Sequence, residues 1–175
     1  MISHENMVQE VYLLSLPGRA WAVKQIEAGK ELKPFRTIGH LPISHIAGLC
    51  GYLVIPVYSG GVVYWMRKYE WSKLLKHVKQ YEITQFYTVP SIYLRISKSP
   101  DVKDHFKSVD GASTGAAPMD GVLQTAANAK LGQGEIAIGQ TWGLSETTGA
   151  VTMMPRGQSD VTGSIGLVMQ NVELR

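Results

Sequence analysis

Between Leu41 and Met66 the chain carries no Asp, Glu, Lys or Arg. A run of that length could cross a membrane as a helix, for which ~20 mainly apolar residues suffice. Pro56 interrupts it, then Ser59-Gly60-Gly61, and a β-branched and aromatic set follows, Val62-Val63-Tyr64-Trp65. Those signals divide the run into a buried helix, a turn and a buried strand, so no membrane span is expected. Composition points the same way. Eighteen of 175 residues are glycine and 18% are charged, against usual shares of ~7% and ~25%. Much glycine with little charge implies buried strands joined by tight loops that approach a ligand. At 45% hydrophobic residues the chain can build a core, which excludes wholesale disorder, and its length fits one domain or a large piece of one.

The net charge of +3 comes from 17 basic and 14 acidic residues with no polybasic block. Nucleic acid and anionic membranes are therefore not expected partners. The single cysteine, Cys50, excludes a disulfide framework and a Cys-based zinc site, and suits a reducing compartment. Met1 to Asn6 shows neither a basic flank nor an apolar stretch, and the last residues carry no peroxisomal signal. The expected location is the cytoplasm.

Along the chain, Ser3 reads as the N-cap of an amphipathic helix reaching Pro17-Gly18, with a second helix from Arg19 to Ala28. Thr37 to Leu41 reads as a strand stopped by Pro42. Trp71, Leu74, Leu75 and Val78 fall on one helical face, with Lys73, Lys76 and Lys79 opposite. That lysine series is either an anion-binding stripe or, as the pattern favours, a solvated face. Gln85 to Val89 reads as a strand ended by Pro90, Ser91 to Ile96 as a helix and Val109 to Thr114 as a strand. A helix follows with Pro118 in its first turn, then strands over Glu135 to Thr141 and Val151 to Met154. Strands apolar on both faces, alternating with helices, predict an α/β fold: a mainly parallel sheet with helices on both faces. Ligands of such sheets sit beyond the carboxyl ends of the strands, in the loops after Leu41, Met66, Thr114 and Thr141.

The loop Trp142-Gly143-Leu144-Ser145-Glu146-Thr147-Thr148-Gly149 concentrates three hydroxyls and a carboxylate between glycines. Hydroxyls bind phosphate oxygens, a carboxylate suits Mg²⁺, and Trp142 offers a face for a base. A Ser/Thr-rich surface turn accounts for the same residues. Gly111 to Pro118 leads small residues into a helix, as a flat ligand or close strand-to-helix packing requires. His45 stands just beyond a strand, either as a hydrogen-bonded structural group or as a site residue; no spacing supports a nucleophilic pair with Cys50. Gly132 to Ala137 formally matches G-x-G-x-x-A but precedes a strand, so the dinucleotide reading fails on context. No G-x-x-x-x-G-K-[ST], H-E-x-x-H or G-x-S-x-G occurs.

Five segments, in order, resemble motifs of the adenylate-forming superfamily, specifically acyl-CoA synthetases of the 4-coumarate–CoA ligase type. Leu41 to Gly48 resembles L-P-x-x-H. Met66 to Glu70 resembles M-P-K-F-E, with Arg67 in place of proline. Thr114 to Pro118 resembles the small-residue adenine loop, and Gln140 to Thr147 the Q-G-Y-G-x-T-E signature. Gly163 to Gly166 resembles a later G-S-x-G turn. The resemblance implies a two-step ligase. A carboxylic acid attacks the α-phosphate of ATP, giving acyl-AMP and pyrophosphate, and coenzyme A then displaces AMP to form a thioester. It further implies that Ser145 contacts phosphate and Glu146 holds Mg²⁺, the pair being the catalytic candidates. Trp142 would stack on adenine, Gly115, Ala116 and Ala117 would line that base, and Gln140 and Thr141 would edge the nucleotide and acyl pocket. His45 would border the acid, and Lys68 would meet a coenzyme A phosphate. Thr141, where glycine is frequent, would narrow the acyl pocket.

The same resemblance places the family's phosphate loop before Met1, and its ribose-binding aspartate and C-terminal domain after Arg175. Residues 1–175 then read as a partial AMP-binding domain, expected to be inactive alone because the donors that stabilise a reacting phosphate lie elsewhere. The alternative is a catalytically silent nucleotide-binding or regulatory module. Sheet edges and apolar faces left uncovered imply self-association.

Overall fold

Five short strands run parallel because a helical or loop crossover returns the chain to the same end after each one. The structure, a computed structural model, describes residues 1–174. β1 (Arg36–Gly39) pairs with β2 (Val62–Trp65). β3 (Gln85–Thr88), β4 (Gly111–Thr114) and β5 (Ile138–Leu144) form a second parallel set. Side chains and one backbone bond join the two sets. The Thr84 amide donates to Arg36 O at 3.0 Å. The Thr84 hydroxyl accepts the Arg36 amide at 2.9 Å and donates to Pro34 O at 2.7 Å. The strand order across the parallel layer is therefore β2, β1, β3, β4, β5. The parallel α/β fold read from the alternation of elements is present.

Helices cover the layer. α1 (His4–Glu27) begins at a capping box, Ser3 Oγ accepting from the Asn6 amide at 3.1 Å and Asn6 Oδ1 from the Ser3 amide at 3.0 Å. It continues through Pro17 as one helix, where the sequence reading split it in two. Pro17 forfeits one helical hydrogen bond, a local penalty that tertiary packing outweighs. Before the proline, Glu10 and Val11 are buried; after it, Trp21 lies under the Arg156 guanidinium at 3.6 Å. Arg156 in turn pairs with Asp110 at 2.5 Å, so α1 is held at both ends.

The uncharged run folds into a helical segment, a turn and a strand, but the strand read as buried is not: Val62 and Trp65 are half exposed, because β2 lies at the outer edge of the layer. α2 (Ile46–Leu49) passes through a π-helical turn, Cys50–Val54, into α3 (Ile55–Ser59), which ends at Gly60 with φ +65°. α4 (Trp71–Gln80) buries Leu74, Leu75 and Val78. Of the opposite lysines, Lys73 pairs with Glu70 and Lys79 with Asp104, as a solvated face would. α5 (Pro90–Lys98) takes proline at its start, and α6 (Gly121–Asn128) starts three residues after Pro118. The later start has a local cause: the Asp120 carboxylate accepts the Leu123 amide at 2.8 Å, a stronger N-cap than the proline provides.

The core lies between the second sheet and α4 to α6. Phe86 stands at its centre, edge-on to Tyr93 and Phe106 with ring centroids 5.9 and 5.1 Å away. The buried Tyr93 hydroxyl, 2.9 Å from Phe86 O and 3.1 Å from Ser113 O, ties α5 beneath β3 and β4. Two further strands extend the sheet with reversed direction, β6 (Gly149–Met153) against β5 and β7 (Leu167–Val168) against β6. Among the described residues no helix is long and apolar enough to cross a membrane. Phe86→Ala is expected to lower the unfolding free energy by about 3–5 kcal/mol, read from urea denaturation, because its ring supports both neighbouring aromatics.

Candidate functional site

The segment Trp142 to Gly149, read as a loop, is an antiparallel hairpin: Trp142 to Leu144 prolong β5 and pair with β6. The reason lies in the glycines. A Cβ on Gly143 would stand 1.8 Å from the Gly149 carbonyl oxygen, so the two backbones meet only without side chains. A register shift between Trp142 and Gly143 accommodates this approach. At the tip, the Thr147 hydroxyl bonds to Leu144 O and Gly149 O and accepts the Leu144 amide, and Thr148 closes the turn at φ +69°. Thr147 is thus spent on the turn. Ser145 and Glu146 are exposed and make no side-chain hydrogen bond among the described residues, and Trp142 keeps 41% of its surface open.

Gln140 is placed differently. Its side chain is buried, its amide oxygen accepting from Met119 N at 3.2 Å and its amide nitrogen donating to Met119 O at 2.8 Å. It clamps the loop Gly115 to Pro118 against β5, so its contribution to a ligand is through the position of that loop. Ala116 adopts φ +74° there. Thr141 Oγ1 donates to Thr114 O at 3.2 Å and lies 2.8 Å from where a Gly115 Cβ would be. Gly115, Ala116, Ala117, Thr141 and Trp142 therefore form one neighbourhood at the carboxyl ends of β4 and β5. The Thr114 hydroxyl is buried beside it without a partner among the described residues.

Lys68 and His45 follow other strands of the layer. Lys68 follows β2, four strands from β5, which at ~4.8 Å per strand is roughly 19 Å across the sheet. His45 caps α2, its Nδ1 accepting the Ala47 amide at 3.1 Å, and follows β1.

At the end of β3 lies a group of residues that the sequence reading missed. Tyr87 ends β3, and its ring is 3.1 Å from a would-be Gly51 Cβ, its hydroxyl 3.7 Å from one on Gly115. Tyr52 on the π turn donates to Tyr87 O at 2.7 Å. Burial raises both phenols, Tyr52 well above the ordinary range. His40 lies beneath them, Nδ1 against Ile38 O at 2.9 Å and Nε2 against the Thr88 hydroxyl at 2.8 Å. Burial holds its imidazole down to about 4, with the Ile38 carbonyl working the other way. The available signal was Pro90: it ends a strand whose loop belonged with the other strand-end loops.

The site's chemistry fits a nucleotide and one hard cation. No cluster of three potential metal ligands occurs among the described residues. A lone exposed carboxylate such as Glu146 nevertheless matches the way Mg²⁺ is held, by one or two carboxylates together with substrate phosphates. Ser145 adds a free hydroxyl and Trp142 an open indole.

Sequence comparison names the class. The profile of the family described as AMP-binding enzyme matches residues 1–175, and the chain belongs to that family. A protein of Emericella nidulans named as an acyl-coenzyme A synthetase is 40% identical over the whole chain, which covers 30% of that protein. The acyl-CoA synthetase ACTT5 of Alternaria alternata is 33% identical over 80% of the chain and 24% of its own length. The chain thus spans less than a third of the relatives it matches. The fold agrees: ATP-bound MatB from Rhodopseudomonas palustris superposes with a TM-score of 0.79 at 23% identity, over 97% of this chain and 30% of that one. O-succinylbenzoate coenzyme A synthetase from Bacillus subtilis, in complex with ATP and magnesium ion, gives 0.74 at 18% identity, over 96% and 32%.

His40 also sets a pH dependence. Its folded value lies below the ordinary 6.5, so the neutral ring contributes stability above about 6.5 that is lost as pH falls toward 4. Linkage puts the contribution on the order of 3 kcal/mol. The stability gap between wild type and His40→Gln, measured by urea denaturation, is expected to narrow between pH 7 and pH 4. A pH-independent gap contradicts this assignment.

Proposed function

We propose that this chain is the nucleotide-side portion of an ATP-dependent acyl- or aryl-CoA ligase. The observation that carries the reading is the union at one sheet end of the Gly115–Ala117 loop, the open Trp142 indole and the free Ser145 and Glu146 side chains. In this reading Trp142 stacks on adenine and Gly115 to Ala117 floor it, with Gln140 holding that floor through Met119. Ser145 donates to a phosphate oxygen, and Glu146 holds Mg²⁺, which supplies countercharge to the phosphates. Thr141 edges the acyl side, where its hydroxyl stands over Gly115 and reduces the space available to the acid. Lys68 belongs to the coenzyme A side, consistent with its distance from the hairpin, and His45 to the acid side.

The reaction class is carboxylate adenylation followed by thioester formation. The acid's oxygen attacks the α-phosphate as pyrophosphate leaves, and the thiol of coenzyme A then attacks the acyl carbon as AMP leaves. Between Gly111 and Gly149 the only basic residue is Lys130, in the turn after α6, near the entry to β5 instead of its hairpin end. The charge stabilisation that phosphoryl chemistry demands is therefore supplied from outside this segment. Residues 1–175 are proposed to form a partial AMP-binding domain that binds nucleotide and does not catalyse by itself.

Isothermal titration of the 175-residue chain with AMP is expected to show binding weakened by Trp142→Ala, at ~1–3 kcal/mol for a lost stacking platform. Mg²⁺-dependent ATP binding is expected to be lost in Glu146→Ala. Absence of AMP binding, or indifference of ATP binding to Glu146→Ala, overturns the assignment; acid-dependent ATP–pyrophosphate exchange by this chain overturns its inactivity. We further propose self-association through exposed apolar residues of α1 and the sheet edge, among them Val8, Val23, Ile26, Val62 and Trp65. Light scattering is expected to show oligomers, and a stable monomer at high concentration contradicts this.

A further inference from the structure

Glu10 projects from α1 into the interior and is 6% exposed. Its Oε1 is closed off from solvent and has no hydrogen-bond partner among the described residues. A Cβ on Gly149 would stand 2.6 Å from that oxygen, so the carboxyl rests directly against the start of β6, facing the Ala150 backbone amide. The π turn closes a third side: Cys50 stands beside Glu10, and its thiol donates to Thr148 O at 3.4 Å.

Among the described residues nothing cationic compensates this carboxyl. β6 carries no titratable residue, and the π turn offers only Cys50 and Tyr52, whose burial keeps both neutral. α3 offers Tyr58, which is engaged with Arg19. On α1 itself Asn6, Met7, Leu13 and Leu14 flank the position, and none is charged. The cations on α1 are its own Arg19 and Lys24, with His4 in its first turn, and Arg156 lies over Trp21. At 1.5 Å per residue the cations lie roughly 13 to 21 Å along the axis from Glu10, and His4 roughly 9 Å away in the opposite direction. An ionised carboxylate in this position has to recruit water, and the water enters only if α1 and the hairpin separate.

We propose that Glu10 is a proton-operated latch: with its carboxyl neutral, α1 closes on the β5–β6 hairpin beside its turn, and loss of the proton loosens the hairpin. Burial supports this, holding the carboxyl up to about 7, with the Ala150 amide working in the opposite direction. The sign follows. Because the folded value exceeds the ordinary 4.5, closure is fully favoured below 4.5 and weakens as pH rises toward and through 7. The hairpin that carries Trp142, Ser145 and Glu146 is thereby coupled to pH near neutrality. The latch does not depend on the nucleotide reading, and its test contains no nucleotide.

Hydrogen exchange of a peptide spanning 145–153, corrected for intrinsic exchange, reads the opening directly. If the open hairpin restores an ordinary carboxyl, opening rises about tenfold between pH 6 and pH 8 in the wild type and stays flat in Glu10→Gln. A ¹³C titration of the Glu10 carboxyl in the wild type gives a second measurement, free of any folding defect in the variant, and a midpoint near 7 is expected. A midpoint near 4.5, a pH-independent wild-type exchange, or the same pH response in Glu10→Gln overturns the proposal.

Discussion

The seam between β1 and β3 is the constraint on which the rest of the molecule depends. Regular ladder pairing does not cross it. At one end Thr84 offers its amide and hydroxyl to the backbone of Arg36 and Pro34; at the other His40 bridges Ile38 O to the Thr88 hydroxyl. These few bonds turn a two-stranded and a three-stranded set into one surface with all its carboxyl ends on the same side. His40 also stacks on Phe86 at 5.6 Å, so the seam and the aromatic core share a side chain. A buried, neutral, twice-bonded imidazole is a costly group to misplace, which makes the junction specific as well as cohesive.

The candidate site follows from that surface. Once β4 and β5 are in register, Gly115 lies beside Thr141, and Gln140 is left facing inward to clamp Met119. The two glycines of the hairpin then allow β6 to fold back within contact distance, raising Ser145 and Glu146 clear of the sheet. Rigid backbone beneath and unspent side chains above is the arrangement a ligand loop needs.

Much of this was legible in the residues. Local signals act over a few positions, so Ser3 as a cap, the Leu74-Leu75-Val78 face and the Pro90 boundary all appear where the sequence places them. The ordered motifs brought the family into view for the same reason: Thr114 to Pro118 and Gln140 to Thr147 are short and contiguous. Legibility failed where a distant partner outweighed a local preference. Pro17 signals a break, yet packing of Glu10 and Trp21 on either side carries α1 through it. Trp142 to Leu144 read as loop because the pairing that makes them strand comes from Gly149 to Thr152. Tyr87 escaped notice because its neighbours, Gly51 and Gly115, lie far from it in sequence.

The sequence by itself determined the class of fold, the order of elements and the family, because apolar periodicity, caps and contiguous motifs are encoded within short windows. Only the tertiary structure decided which side chains remain available. It spent Gln140 on Met119 and Thr147 on the turn, left Ser145 and Glu146 free, set Lys68 across the sheet from the hairpin, and enclosed Glu10 without a counterion among the described residues. The physical reason is that hydrogen-bond saturation and burial are properties of neighbours in space. A hydroxyl or carboxyl carries no mark in the chain of whether the fold will satisfy it, expose it or leave it alone in the interior.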